Sequence, residues 1–360
     1  MAIEYREWLE GDDLTLLEVW GGLETEQARQ FRGALAVSSA GTDGTPWRRC
    51  IVAEDVIDGV GIPVAAGVVY EASLHPERLW SYIEVARDHR RAGIGATLLT
   101  MLRREAEQAP SGVTKLRAKV QPGTAGAAFA EAFGLAPIQR SRLVVVEPGA
   151  LKLPVFPAKN DGGGPANDEN AGSDVVMDLA TGSVELTDVV GRYYTSIHGW
   201  DSPGVLSVGQ VQKLFLDDLT GAHGALVLRV EPGSAFGAAV SPSKKGRIRA
   251  FAVSYAEAAL DPAADASAQG AKATDVFVGH EPALDSDDAA AAVRDLLSLL
   301  AYQHPVMLEL DDSMAALRAA VEPLLESGKA RQAGADTLVV SDSPPYPIDS
   351  QLTLSQREMA

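Results

Sequence analysis

The 360-residue chain has a single cysteine, Cys50. An internal disulfide is therefore excluded, and a reducing compartment is expected. No stretch approaches the ~18 uninterrupted apolar residues that a membrane span requires. The opening residues, Met1 to Glu7, carry neither the basic region nor the apolar run of a signal peptide. Together these absences lead to the expectation of a cytoplasmic protein. The six histidines show no zinc spacing, so no metal is expected. Basic residues are also few: 31 Lys and Arg stand against 49 Asp and Glu, a net charge of −18. Residues 1–150 carry 16 basic and 20 acidic residues, and the remainder carries 15 and 29. Such a surface repels nucleic acid and anionic membranes. Beyond conferring solubility, it would favour a cationic, amine-bearing substrate. Cys50 lies in an expected strand with no histidine near it in sequence, and reads as a buried thiol rather than a nucleophile.

Apolar residues make up 46% of the chain, enough for sizeable cores, and its length suggests two domains. Pro157 to Asp174 lacks any large apolar residue and is rich in Gly, Asn and Asp, the composition of a flexible linker. Asp261–Ala273 has the character of a disordered loop. The expected division is therefore 1–150, a linker at 157–174, a second domain at 175–345 and a tail at 346–360.

The most informative segment is Ser81–Ala96, running into Thr97–Arg104. Residues 80–85 read as a buried strand, and from Ile94 the apolar positions 94, 98, 101, 102 and 106 recur with helical spacing. Between them lies a turn with Gly93 and Gly95. A glycine turn opening a helix leaves backbone N–H groups unpaired, and with the helix dipole these attract phosphate. Arg90 and Arg91 add positive charge at the rim. Downstream, Thr114–Val120 alternates as a strand, an Ala-rich helix covers about 124–133, and Gly134 leads to a strand at Arg142–Glu147. Upstream, Ile3–Trp8 reads as a strand, Asp12–Trp20 and Thr25–Ser38 as helices, and Arg48–Glu54 and Ile62–Ser73 as a strand pair. Arg331–Asp336 is a near miss of the same glycine pattern without strand, turn and helix around it.

Arg90-x-x-Gly93-x-Gly95 after an apolar strand resembles the acetyl-CoA loop of the GNAT superfamily of N-acetyltransferases, and the likeness covers about residues 1–150. Arg87 stands where that family often has proline. The resemblance implies that Val85, Ala86, Arg87, Arg90, Arg91, Ala92, Gly93, Ile94, Gly95 and Ala96 hold acetyl-CoA, the acyl donor. It also implies direct attack of a neutral amine on the thioester, with amides around Val85 polarising the carbonyl. Glu84 is the one carboxylate on that strand and the candidate general base. An ion pair with Arg87 or a strand neighbour is the other reading. His75 and Glu71 are weaker candidates. Many family members place a tyrosine four residues before the glycine that here is Gly134, where its phenol serves as acid. That position is Ala130, flanked by Phe129 and Phe133. Thr124 stands where an asparagine contact is common.

After the linker the order of elements returns. Val175–Leu179 reads as a strand, Val184–His198 and Val205–Asp218 as helices, and Ala225–Val230, Ile248–Tyr255 and Val276–Val278 as strands. Ser286–Tyr302 and Ser313–Leu325 read as helices, with strands at Val306–Leu310 and Thr337–Ser341. The expected architecture is α/β (α+β): two GNAT-like units, each a mixed central sheet flanked by helices. In place of the glycine turn, Gly279–Asp288 has one glycine, no arginine and four carboxylates beyond its histidine. Coenzyme is thus expected in the first unit alone, the second being a degenerate partner. Mycothiol synthases, whose catalytic unit is the C-terminal one, have the opposite arrangement. His280 with Glu281, Asp285, Asp287 and Asp288 reads as an acidic helix start rather than a metal site. Tyr193, Tyr194, His198 and Trp200 read as core or as a cleft wall. The function expected is transfer of acetyl to a small or protein amine. A non-catalytic acetyl-CoA-binding or regulatory protein is the alternative, and a homodimer stays open.

Overall fold

The computed structural model describes residues 2–21, 31–42, 45–154, 174–179, 181–230, 246–255 and 273–343. The expected linker (all but Asp174), the loop at 261–273 (all but Ala273), the tail at 346–360 and most of the first turns of the helix at Thr25–Ser38 lie outside them. The chain divides into two compact units. Unit 1 comprises Met1–Gln139, Trp200–Gly204 and Thr337–Ala360, and unit 2 comprises Arg140–Gly199 and Val205–Asp336.

In unit 1, β1 (Ala2–Glu7), β2 (Arg48–Ile57), β3 (Val60–Tyr70) and β4 (Leu79–Val85) pair antiparallel in sequence order. Helix α1 (Asp12–Trp20) follows β1, and Phe31 and Arg32 are helical. Strand β4 leads through a tight turn at Arg87–His89 into α2 (Ile94–Ala106). Helix α2 buries Ile94, Leu98, Leu99, Leu102 and Ala106, one face at helical spacing. Each of the isoleucine and leucine side chains contributes roughly 1.5–3 kcal/mol when buried. Strand β5 (Leu116–Val120) runs parallel to β4, but the two pair only at Leu79–Leu116 and Trp80–Arg117. Beyond that point they part. Helix α3 (Ala125–Ala132) follows, capped by the Thr124 hydroxyl on Ala127 N–H.

The root of the parting is held by charge. Asp201, fully buried, pairs with Arg78 at 2.7 Å and with Arg117. Arg78 donates through Nε to Ser341 Oγ (3.2 Å), which in turn donates to the carbonyl of Leu116 (2.8 Å). The Arg117 guanidinium lies 4.1 Å over the Trp80 ring. A carboxylate between two cations offsets a desolvation cost that each would otherwise bear alone.

In unit 2, β7 (Asp174–Leu179), β8 (Ala222–Val230), β9 (Ile248–Tyr255) and β10 (Thr274–His280) pair antiparallel in order. Strand β11 (Val306–Asp311) runs parallel to β10 and pairs with it only at Thr274–Val306 and Asp275–Met307. Helices α4 (Val184–Ile197), α5 (Ser286–Leu300) and α6 (Ala315–Glu326) complete the unit. The two-residue parallel pair of unit 1 thus recurs.

Three expectations change. The helix at Val205–Asp218 is shorter: a Ser207–Gln210 capping box opens a turn at Val208–Val211, Gln212–Leu216 forms a widened turn, and Asp217 starts a separate turn by accepting from Leu219 N–H. The strand expected at Arg142–Glu147 spans β6 (Ala136–Val146), and its residues from Ser141 on pair with β11 in unit 2. A short strand, β12 (Ala330–Gln332), lies on its other edge. Conversely, β13 (Thr337–Ser341), expected to end the second domain, pairs antiparallel with β5 and closes the sheet of unit 1. The reason is register: Leu338–Ser341 match Val120–Arg117 residue for residue, burying Val340 with the unit 1 core.

Candidate active site

Because β4 and β5 part after two residues, one edge of β4 has no strand partner among the described residues. Its polarity follows from the bonds at either end. Leu79 N–H donates to Lys115 O on the β5 side (2.8 Å), and Ala86 N–H donates to Val64 O on the β3 side (2.8 Å). Alternation along the strand then turns the N–H groups of Ser81, Ile83 and Val85 toward the parted edge. Val85 is the last of these, and its carbonyl, on the same edge, accepts from Arg90 Nε at 3.0 Å.

The turn that follows is shaped by two left-handed residues, Arg91 (φ 67°) and Gly93 (φ 83°). Gly93 takes that conformation without strain and, as the residue capping α2, brings no side chain over the helix end. The first backbone bond of α2 is Thr97 N–H to Gly93 O (3.0 Å), so the N–H groups of Ile94, Gly95 and Ala96 project from its end. A Cβ on Gly95 would come within 3.4 Å of the Phe129 ring, narrowing the approach. Here a cleft of about 700 Å³ opens, lined by Glu84, Val85, Arg90, Arg91, Gly93–Ala96 and the α3 residues opposite. Of the residues expected to hold coenzyme, Ala86, Arg87 and Ala92 lie outside its lining. Ala86 is buried in the core instead.

A second cavity of about 310 Å³ shares Ile83, Thr124, Gly126 and Phe129 with the first. Ala130 lines it, and Phe129 and Phe133 stand with ring centroids 4.6 Å apart, so no phenol occupies that position. Thr124 Oγ1 is engaged locally, donating to Gln121 O (2.7 Å) and accepting from Ala127 N–H.

Glu84 lines the first cleft, but both its oxygens are engaged. Arg32 Nη2 and Nε donate to them at 2.6 and 2.8 Å, and the Tyr82 hydroxyl donates at 2.5 Å. Burial, and then the bond to Glu84, push the Tyr82 phenol well above its usual range. The bond to Glu84 likewise holds the Arg32 guanidinium above its own. The geometry is that of a structural ion pair whose partner is Arg32 rather than Arg87. Sequence reading missed this partner, which lies 52 residues away; only the shared face of Tyr82 and Glu84, two apart on a strand, was a signal.

The weaker base candidates are also engaged. Buried His75 places Nδ1 2.6 Å from Asp201 O, and Glu71 accepts from Ser111 N–H (3.0 Å). Cys50 is buried, and burial pushes its thiol up to about 12. Tyr193 and Tyr194 are buried in unit 2 with His198 stacked on Tyr194 (3.9 Å), whereas Trp200 belongs to unit 1 and stacks on His75.

The matching place in unit 2 is closed from within. Asp285 caps α5 by accepting the N–H groups of Asp287 and Asp288 at 3.1 and 2.9 Å. Glu281 pairs with Arg192, which holds its carboxyl below the usual range. A Cβ on Gly279 would run into the Phe251 and Tyr193 rings, so aromatic side chains fill the space beside β10. Among the described residues no cluster of His, Cys, Asp and Glu could hold a metal, and no helix is long and apolar enough to cross a membrane.

Residues 22–135 match the model of the acetyltransferase (GNAT) family. No curated protein matches the chain. Among solved structures, a GCN5-related N-acetyltransferase from Sphaerobacter thermophilus is 12% identical with a TM-score of 0.51, over 96% of this chain and 98% of that one. A GCN5-related N-acetyltransferase from Anabaena variabilis is 9% identical with a TM-score of 0.47, over 94% of this chain and 72% of that one. The first likeness extends a shared fold over the length of both chains.

Proposed function

We propose, from the match of residues 22–135 to the acetyltransferase (GNAT) family, that the chain is an N-acetyltransferase moving acetyl from acetyl-CoA to a primary amine, with its coenzyme site in unit 1 alone. The observation that carries this reading is the contrast between two helix starts. At α2, Gly93 leaves the backbone N–H groups open to the larger cleft with Arg90 and Arg91 beside them. At α5, the Asp285 carboxylate already occupies the equivalent donors. Only the first suits a pyrophosphate.

Acetyl-CoA supplies a thioester carbonyl open to attack by an uncharged amine. The amine nitrogen forms the C–N bond, the C–S bond breaks, and the proton leaving nitrogen reaches the sulfur through water. Val85 N–H, on the parted edge of β4, is the donor for charge developing on the carbonyl oxygen. Glu84 holds Arg32 and Tyr82 in place beside the cleft. A thiol ionises near pH ~8.5, so the leaving sulfur does not depend on a phenol at Ala130. Ala130 is also the observation that favours the second reading, a non-catalytic acetyl-CoA-binding or regulatory protein.

Calorimetry with coenzyme A tests the site: a stoichiometry near one per chain is expected, lost on Gly93→Asp with Gly95→Asp. A value near two, or binding that survives the double substitution, overturns the reading. Turnover of acetyl-CoA with a panel of amines separates enzyme from binder.

A further inference from the structure

The smaller cavity in unit 1 passes through the parting of β4 and β5, and its two faces differ. Side chains alternate along each strand, so Ser81 and Ile83 of β4 with Ala118 and Val120 of β5 face α2 and α3. Trp80, Tyr82 and Glu84, with Arg117 and Lys119, face the other way. The cavity is lined from both sides. On the far side from the coenzyme turn, Phe31 stacks on Tyr82, ring centroids 5.4 Å apart and planes 18° apart, and reaches Trp80 at 6.2 Å. Among the described residues of the lining, Lys119 is the single charged one and none is a carboxylate. Lys119 Nζ lies 5.8 Å over the Trp80 ring. Glu84, the acid that β4 places on that face, is taken by Arg32 and Tyr82.

This arrangement selects against a polycationic acceptor. Each additional ammonium brought into an apolar, aromatic cavity would lose its hydration without gaining a carboxylate partner. It selects for a body with one aromatic or apolar side chain and one anion, since stacked rings would bury the first and Lys119 would pair with the second. A volume of about 310 Å³ is at the small end for a ligand pocket and suits a single amino-acid-sized body. The chain's acidic balance is a property of its whole surface, whereas the described lining of the cavity carries one positive charge. We infer that the acceptor is an α-amino acid with an aromatic or large apolar side chain, its amine at the parting and its carboxylate toward Lys119. This rests on the acetyltransferase reading and deepens it.

The test compares phenylalanine, phenethylamine and spermidine as acceptors for the full chain and for Lys119→Met. Phenylalanine should have the highest kcat/KM. The ratio of its kcat/KM to that of phenethylamine should fall about 10-fold in Lys119→Met, as for one lost charge-assisted contact, and recover in Lys119→Arg. Calorimetry on the protein loaded with coenzyme A should show binding of N-acetylphenylalanine and none of N-acetylspermidine. Preference for spermidine, a ratio unchanged in Lys119→Met, or no binding of N-acetylphenylalanine each overturns the inference while leaving coenzyme binding intact. Failure of coenzyme A itself to bind overturns the acetyltransferase reading, and this inference with it.

Discussion

Glu84 grips Arg32 through both carboxylate oxygens, at 2.6 and 2.8 Å, while Tyr82 donates its phenol proton to one of them. To accept a proton from an amine, Glu84 would have to give up part of this set. Glu84→Gln is therefore expected to lower stability by about 1–2 kcal/mol, the scale of a half-buried charged hydrogen-bond partner lost. It should change the maximal rate of acetyl transfer by less than about tenfold and leave the pH–rate profile as it is. Thermal melting and a rate profile check this. A fall of about 10²–10⁴-fold with loss of the acidic limb would restore Glu84 as the base.

Arg90 and Arg91 line the cleft at the start of α2. Replacing both with Ala should weaken coenzyme A binding by about 2–4 kcal/mol, as for lost charge-assisted contacts. The loss should be smaller for acetyl-pantetheine, which lacks the pyrophosphate. Titration calorimetry with both ligands decides, and equal losses would remove the phosphate assignment.

Asp201 is fully buried between Arg78 and Arg117. Asp201→Ala leaves two buried guanidinium groups without their carboxylate and should destabilise unit 1 by about 3–5 kcal/mol. Denaturant unfolding gives the number. A cost under about 1 kcal/mol, the range of exposed pairs, would show that water or another acid replaces it.

Asp311 lies in unit 2 and accepts from Ser313 N–H at 2.7 Å. Burial pushes its carboxyl up to about 6 from an ordinary 3.8. A folded-state value above the unfolded one means that the protonated form favours folding. That contribution is complete below about pH 4, and is lost as pH rises through about 6. Asp311→Asn keeps the acceptor oxygen without the charge. It should flatten stability between pH 4 and 6 and raise it at pH 7 by something on the order of 2 kcal/mol. An unchanged slope in urea unfolding across that range would show that Asp311 ionises freely.

The glycine turn before α2 was legible because it is local. An apolar strand, two glycines and an amphipathic helix lie within about 25 consecutive residues, and each signal depends only on neighbours along the chain. For the same reason the strands at Ile248–Tyr255 and Thr337–Ser341 and the helix at Asp12–Trp20 come out at their observed bounds. The acidic helix start after β10 was legible too, since Asp285 caps residues two and three positions on.

Tertiary structure alone decided which strand closes which sheet, what Glu84 pairs with, and which residues line the smaller cavity. Strands β6 and β13 have the same alternating apolar pattern, and period two specifies a buried face without naming the neighbour. The partners of Glu84, Arg78 and Lys119 come from elements 52, 123 and 39 residues away along the chain. Charge pairing acts through space, so a carboxylate's role depends on the cation that folding places beside it. Sequence determined that a glycine turn would open a helix. Folding determined that Arg32 would occupy Glu84, the acid on the strand before it.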